Sequence, residues 1–231
     1  MPITPDHTIY WHWGFVQLNC TIVFTWAVML LLTVVSWLVT RRLNSSDAHR
    51  SRWQNALEAV VEAIRGQIRQ MAPQGGDTYL PFIGTLFLFI AVSNLLEIVP
   101  GWHAPTGSLS TTSALAICVG VAVPLFGILR QGVVGYFSHY LKPSFIMLPF
   151  HLLSETSRNL ALAIRLFGNI MSGSIMVAIL LAIAPLFFPL PMHALGLLIG
   201  LIQAYIFAVL AMIYIAAAVQ SQREPEGGLN G

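Results

Sequence analysis

Charge is what this sequence has least of. Only 9% of its 231 residues are Asp, Glu, Lys or Arg, against 56% hydrophobic and a mean hydropathy of +0.75, whereas a soluble domain is about a quarter charged. That excludes an ordinary water-soluble fold. The charges present nearly cancel, 11 basic against 9 acidic, and a net +2 is too small for a nucleic-acid surface. Cysteine is also scarce: Cys20 and Cys118 sit in apolar runs with no CxxC or Cys/His spacing, which gives no support to a disulfide framework or a zinc site. There is no Ser/His/Asp set, phosphate loop or metal cluster, so no covalent chemistry is expected of this chain by itself and no cofactor is called for. Internal repeats and a second domain are absent too.

What is present is apolar length. A membrane helix needs roughly 20 apolar residues, and the charge-free stretches supply spans at about 16–40, 78–99, 110–130, 147–184 and 192–220. The last two come from one long run divided at Pro185, Pro189 and Pro191, because proline cannot continue a helix interior. An all-α integral membrane protein of five to six membrane helices is predicted, ending in two long antiparallel helices. The start lacks the charged segment and small-residue cleavage site of a signal peptide, so the first span is expected to be retained. Arg41, Arg42, Arg50, Arg52, Arg65 and Arg69 follow span one, and Arg130 and Lys142 follow span three. Those loops are expected in the cytoplasm, with the N-terminus outside and the polar tail 221–231 inside. Between spans one and two, Trp53, Ala56, Leu57, Val60, Val61, Ile64 and Ile68 recur at helical spacing among charged residues. Residues 52–71 therefore read as an amphipathic surface helix, either lying on lipid headgroups or docking a partner.

Four charges fall at membrane depth or near its edges: Glu97, Glu155, Arg158 and Arg165. Each is a functional candidate, because an ion at the bilayer centre costs at least about 2.5–3.5 kcal/mol. Glu155 and Arg158 are three residues apart and can pair, as a structural bridge or as part of an ion path. Glu97 lies just before Pro100 and Gly101, where it serves either an ion path or only a solvated helix end. Arg165 is different: it cannot neutralise itself, and no carboxylate stands three or four residues away. Its i+4 neighbour is Asn169, and Arg158 on the same face repels it. A carboxylate on another membrane subunit is the expected counter-ion. Small residues Gly168, Ser172 and Gly173, and the stripe Gly196, Gly200, Ala204 and Ala208 beside Gln203, allow close helix approach.

The segment from Arg158 to Gly173, RNLALAIRLFGNIMSG, resembles the signature of subunit a of F-type ATP synthases. Residues 201–210, LIQAYIFAVL, are similar to that family's glutamine helix, and 93–100, SNLLEIVP, to its second span. The resemblance covers most of the chain from about Tyr79 onward. It implies a stator in a bacterial plasma membrane beside a rotating ring of c subunits, with subunit b as peripheral stalk and the soluble head engaged indirectly. It also implies that Arg165 stands between two ion half-channels, that Asn169 and Gln203 line its surroundings, that Glu97 serves the outer path, and that Glu155 and Arg158 lie toward the inner exit. Members of the family often carry an acid nine residues after the arginine and an ionisable group seven before the glutamine; here those positions are Ser174 and Gly196. An outer relay built from Glu97, His193 and ordered water is expected instead, with His193 otherwise an interface residue. Fourteen residues before the arginine, where an acid is common, stands His151. A proton is the favoured ion, with sodium the alternative. Among rivals, a haem carrier would need His residues facing each other across helices, and a secondary transporter would show repeated halves.

Overall fold

The computed structural model describes residues 9–13, 16–42, 52–71, 78–99, 102, 104–141, 147–183 and 189–220. They form a hairpin of β1 (Ile9–Trp13) and β2 (Val16–Asn19), then α1 (Cys20–Arg42), α2 (Arg52–Met71), α3 (Leu80–Leu95), α4 (Leu109–Leu141), α5 (Met147–Ile183) and α6 (Pro189–Gln220). Two 3-10 turns, Leu96–Ile98 and Pro105–Gly107, lie between α3 and α4. Five stretches are long and apolar enough to cross a membrane: Cys20–Leu38, Leu80–Ile98, Leu109–Arg130, Pro149–Ile183 and Leu190–Val219. The chain is thus an all-α membrane protein with one short hairpin ahead of its first long helix. The polar tail 221–231 and residues 184–188 of the proline-rich turn lie outside the described residues.

Three boundaries differ from the sequence reading. The first helix starts at Cys20 rather than at about residue 16, because Val16–Asn19 pairs antiparallel with Ile9–Trp13, an aromatic and β-branched segment suited to a pleated ladder. The last helix starts at Pro189 rather than at about residue 192. Pro189 and Pro191 fit its first turn, where backbone N–H groups have no intrahelical acceptor. The third long helix continues past Arg130 to Leu141, but with a break at Gly132, whose φ of 76° and ψ of 163° are open essentially to glycine alone. Replacing it with alanine should cost about 1–3 kcal/mol. The check is a lowered melting midpoint of the detergent-solubilised complex for Gly132→Ala, against no change for alanine at exposed Val133.

The core lies where α3, α4, α5 and α6 meet. On α5 the buried residues Leu162, Ala163, Leu166 and Ile170 follow helical spacing and form one stripe. On α6 the stripe Ala204, Ala208, Ala211 and Ile215 is buried with Ile83, Leu86 and Ile90 of α3 in the same cluster. Small side chains there let α3 and α6 approach closely. By contrast, among its described side chains α1 buries only Cys20, Thr21 and Val28 and exposes Trp26, Met29, Leu30, Trp37 and Leu38. Its Phe24 leans on Trp102 of the α3–α4 connection, with ring centroids 4.5 Å apart.

Candidate functional site

Arg165 is at the midpoint of α5, eighteen residues from each end, or about 27 Å of helix either way. At about 55 Å the helix is longer than a bilayer core about 30 Å thick, and Arg165 is equally far from its two ends. The buried stripe at Leu162, Leu166 and Ile170 turns Arg165 away from the core, and its side chain is exposed. Among the described residues it has no hydrogen bond and no ion pair. One turn later Asn169 lies at the edge of that stripe, half-buried, where α5 meets α6. Its Nδ2 donates to Oε1 of Gln203 at 2.7 Å. Gln203 is 2% exposed, and its own Nε2 is buried with no acceptor among the described residues. The two helices therefore present a permanent cation with a carboxamide pair one turn away.

The remaining candidates distribute around this centre. Glu97 is half-buried in the 3-10 turn after α3. Asn94 is bonded to Gly200, and Arg165 is four residues before Asn169, the partner of Gln203. Helical rise along these steps separates Glu97 from the Arg165 level by about 15 Å. Glu97 is thus not the arginine's counter-ion. His193 is exposed near the start of α6, without a hydrogen bond among the described residues, and about 10 Å of helix beyond Gly200. By the same rise it stands about 6 Å beyond the level of Glu97. Ser174 donates its hydroxyl to the carbonyls of Ile170 and Met171 in its own helix, at 3.1 and 3.0 Å. Arg158 donates Nη2 to Ser154 Oγ at 3.2 Å and lies over the Tyr214 ring, 5.5 Å from its centroid. Glu155, three residues before it, is half-buried on the same helix, as is His151.

The small residues divide between two tasks. Gly200, Ala204 and Ala208 of α6 are buried, and Gly200 faces Asn94 of α3, so that stripe serves packing inside the chain rather than an outside partner. Gly168, Gly173 and Gly196 have open space where a side chain would stand. On α5 it is therefore the face of Arg165 and Gly168 that stays uncovered, bordered by exposed Ile164 and Ser172. A reading guided by charge gave no bonding role to Asn94 and none to Thr106, both buried and bonded to each other. The available signal was a neutral amide inside a charge-free run, which has the same need for partners as an ion.

Among the described residues, five helices of membrane-spanning length, with a guanidinium midway along one of them that has no partner there, define an integral membrane protein carrying the kind of charge that marks ion and substrate pathways. The family model of the ATP synthase A chain matches residues 22–216, and the chain belongs to that family. It is 60% identical over 220 residues to ATP synthase subunit a 2 of Acaryochloris marina, covering 95% of this chain and 94% of that one. It is 58% identical to ATP synthase subunit a 1 of Crocosphaera subtropica, with 98% of each covered, and 56% identical to ATP synthase subunit a of Albidiferax ferrireducens, with 99% of each covered. Membership makes the chain an ion-translocating subunit of a membrane-embedded ATP synthase sector, working within the complex and not catalytic alone. The secondary-transporter alternative has no support.

Proposed function

We propose that Arg165 is the fixed charge separating two ion half-channels, facing a carboxylate on each subunit of a rotating c ring. The observation that carries this is the exposed guanidinium at the middle of α5, which has no partner among the described residues. Such a charge favours the ionised ring carboxylate as it passes and repels any cation moving straight from one half-channel to the other. The ion must then travel round on the ring. Each elementary charge crossing 100 mV supplies about 2.3 kcal/mol, which the rotating ring delivers to the soluble head. Asn169 fixes the orientation of the Gln203 carboxamide and leaves its Nε2 as a donor for an oxygen ligand in the same region. Leaving such a donor buried and unpaired costs about 1–3 kcal/mol, which an arriving acceptor recovers.

The end of the bundle with Glu97, His193 and the start of α6 is the outer side, and the end with Arg130, Glu155 and Arg158 is the cytoplasmic side of a bacterial plasma membrane. Glu97 and His193 then stand along the outer path at separate heights, Glu155 and Arg158 stand toward the inner exit, and Ser174 lines the outer half of α5 by its backbone-bonded hydroxyl. Subunit b holds the chain against rotation. The proton is the ion. Acidification of inverted vesicles holding the assembled complex, driven by ATP without sodium, tests this directly: pumping only with sodium overturns the ion, and no pumping in either medium overturns the path. Gln203→Leu should lower pumping about tenfold, the scale of one lost hydrogen bond to a charged group. A loss as complete as that of Arg165→Ala would reverse the assigned hierarchy.

A further inference from the structure

Asn94, in the last turn of α3, is 1% exposed and uses both ends of its carboxamide. Its Nδ2 donates to the Gly200 carbonyl of α6 at 2.9 Å, and its Oδ1 accepts from Thr106 Oγ1 at 2.8 Å. Thr106 is fully buried in the 3-10 turn Pro105–Gly107. The approach is close: a Cβ built on Gly200 would stand 3.0 Å from both Cβ and Nδ2 of Asn94. Glycine at 200 is what admits the amide to a helix carbonyl. That oxygen has a second lone pair beyond the one closing the helical ladder, so the bond leaves α6 intact.

Followed onward, these contacts close a circuit. Gly107, next to Thr106, lies against α5, where its Cβ would come 3.4 Å from Ile170 Cγ2. Ile170 follows Asn169, which bonds Gln203, and Gln203 stands three residues after Gly200 on α6. α5 and α6 are therefore tied twice, once directly and once around through α3 and the buried turn. A stripe of alanine methyls permits sliding along the helix axis, whereas a hydrogen bond fixes distance and angle. We propose that Asn94 is a positioning residue for ion translocation: through Thr106 and the Gly200 carbonyl it holds α6 at the height that brings Gln203 to Asn169, against the sideways load of the turning ring. This rests on the reading of Arg165 given above.

The test uses the assembled ATP synthase, with ATP-driven pumping measured per assembled complex. Thr106→Val removes one hydroxyl at constant shape, Thr106→Ser keeps it, and Asn94→Leu removes both bonds. Thr106→Val should pump about fivefold less, Asn94→Leu at least about tenfold less, and Thr106→Ser within about twofold of native, the scale of one or two buried hydrogen bonds. The double substitution Asn94→Leu with Thr106→Val should be no worse than Asn94→Leu, since both act through one chain of bonds. Spin labels at exposed Met176 on α5 and Leu198 on α6 should give a broader distance distribution in Thr106→Val. A purely structural role would lower the amount of complex and leave pumping per complex unchanged. Native pumping per complex in Thr106→Val, or multiplying effects in the double variant, overturns the proposal. Arg165→Ala in the same membranes keeps the two readings apart: if it pumps normally the ion path fails, and if it is inactive while Thr106→Val pumps normally only the positioning role fails.

Discussion

Arg165→Ala in the assembled complex is expected to lower ATP-driven pumping at least about 100-fold, the scale on which a preorganised charge-stabilising group acts. Assembly should be largely unaffected, because Arg165 is exposed and has no partner among the described residues whose removal would leave a buried group unpaired. Arg165→Lys is the informative companion. It retains the charge but loses the planar fork and the protonation that burial cannot remove, so its pumping should stay well below native. The measurement is vesicle acidification at matched complex content, with and without sodium. Normal pumping by Arg165→Ala would make the arginine structural and remove the basis of the half-channel reading.

A second large effect is expected at Gly120 of α4, which carries no charge itself. A Cβ built there would overlap the carboxamide nitrogen of Asn159, so the present seat of that side chain in the α4–α5 contact needs a glycine beneath it. Pro124, inside α4, adds to this constraint by removing the N–H that would have bonded the Gly120 carbonyl. Gly120→Leu must displace the Asn159 side chain and overfill the α4–α5 seam, an overpacking cost of about 1–3 kcal/mol, or about 5- to 100-fold in the ratio of folded to unfolded chain. Immunodetection of the chain in purified complex reads this out. Asn159→Ala in the same chain should restore much of the yield, and failure to do so would mean that the clash is relieved elsewhere.

These two sites show how differently the sequence speaks. Arg165 was legible because an ion in an apolar run has no cheap explanation, and its lack of an i±3 or i±4 carboxylate could be counted along the chain. Gly120 and Asn159 are 39 positions apart, and nothing local says that one fits over the other. The same holds for the Asn94, Thr106 and Gly200 bonds, which join three elements. The Gly200, Ala204 and Ala208 stripe announced close helix approach but not against which helix; tertiary packing assigned it to α3. Glu97 and His193, linked in the sequence reading by their common end of the bundle, stand at different heights once Asn94 is bonded to Gly200.

Apolar run length, proline placement and the isolation of Arg165 are one-dimensional properties, so the sequence by itself determined the membrane class, the five long helices and the central charge. Hydrophobic transfer and backbone hydrogen bonding act residue by residue along a membrane helix, and they leave their record in order along the chain. The pairing of Asn169 with Gln203, the buried turn at Thr106 and the outward aim of Arg165 depend on which faces meet and at what relative height. Those are set by contacts between distant segments, where a helical period constrains rotation but leaves sliding along the axis open until a directional bond fixes it.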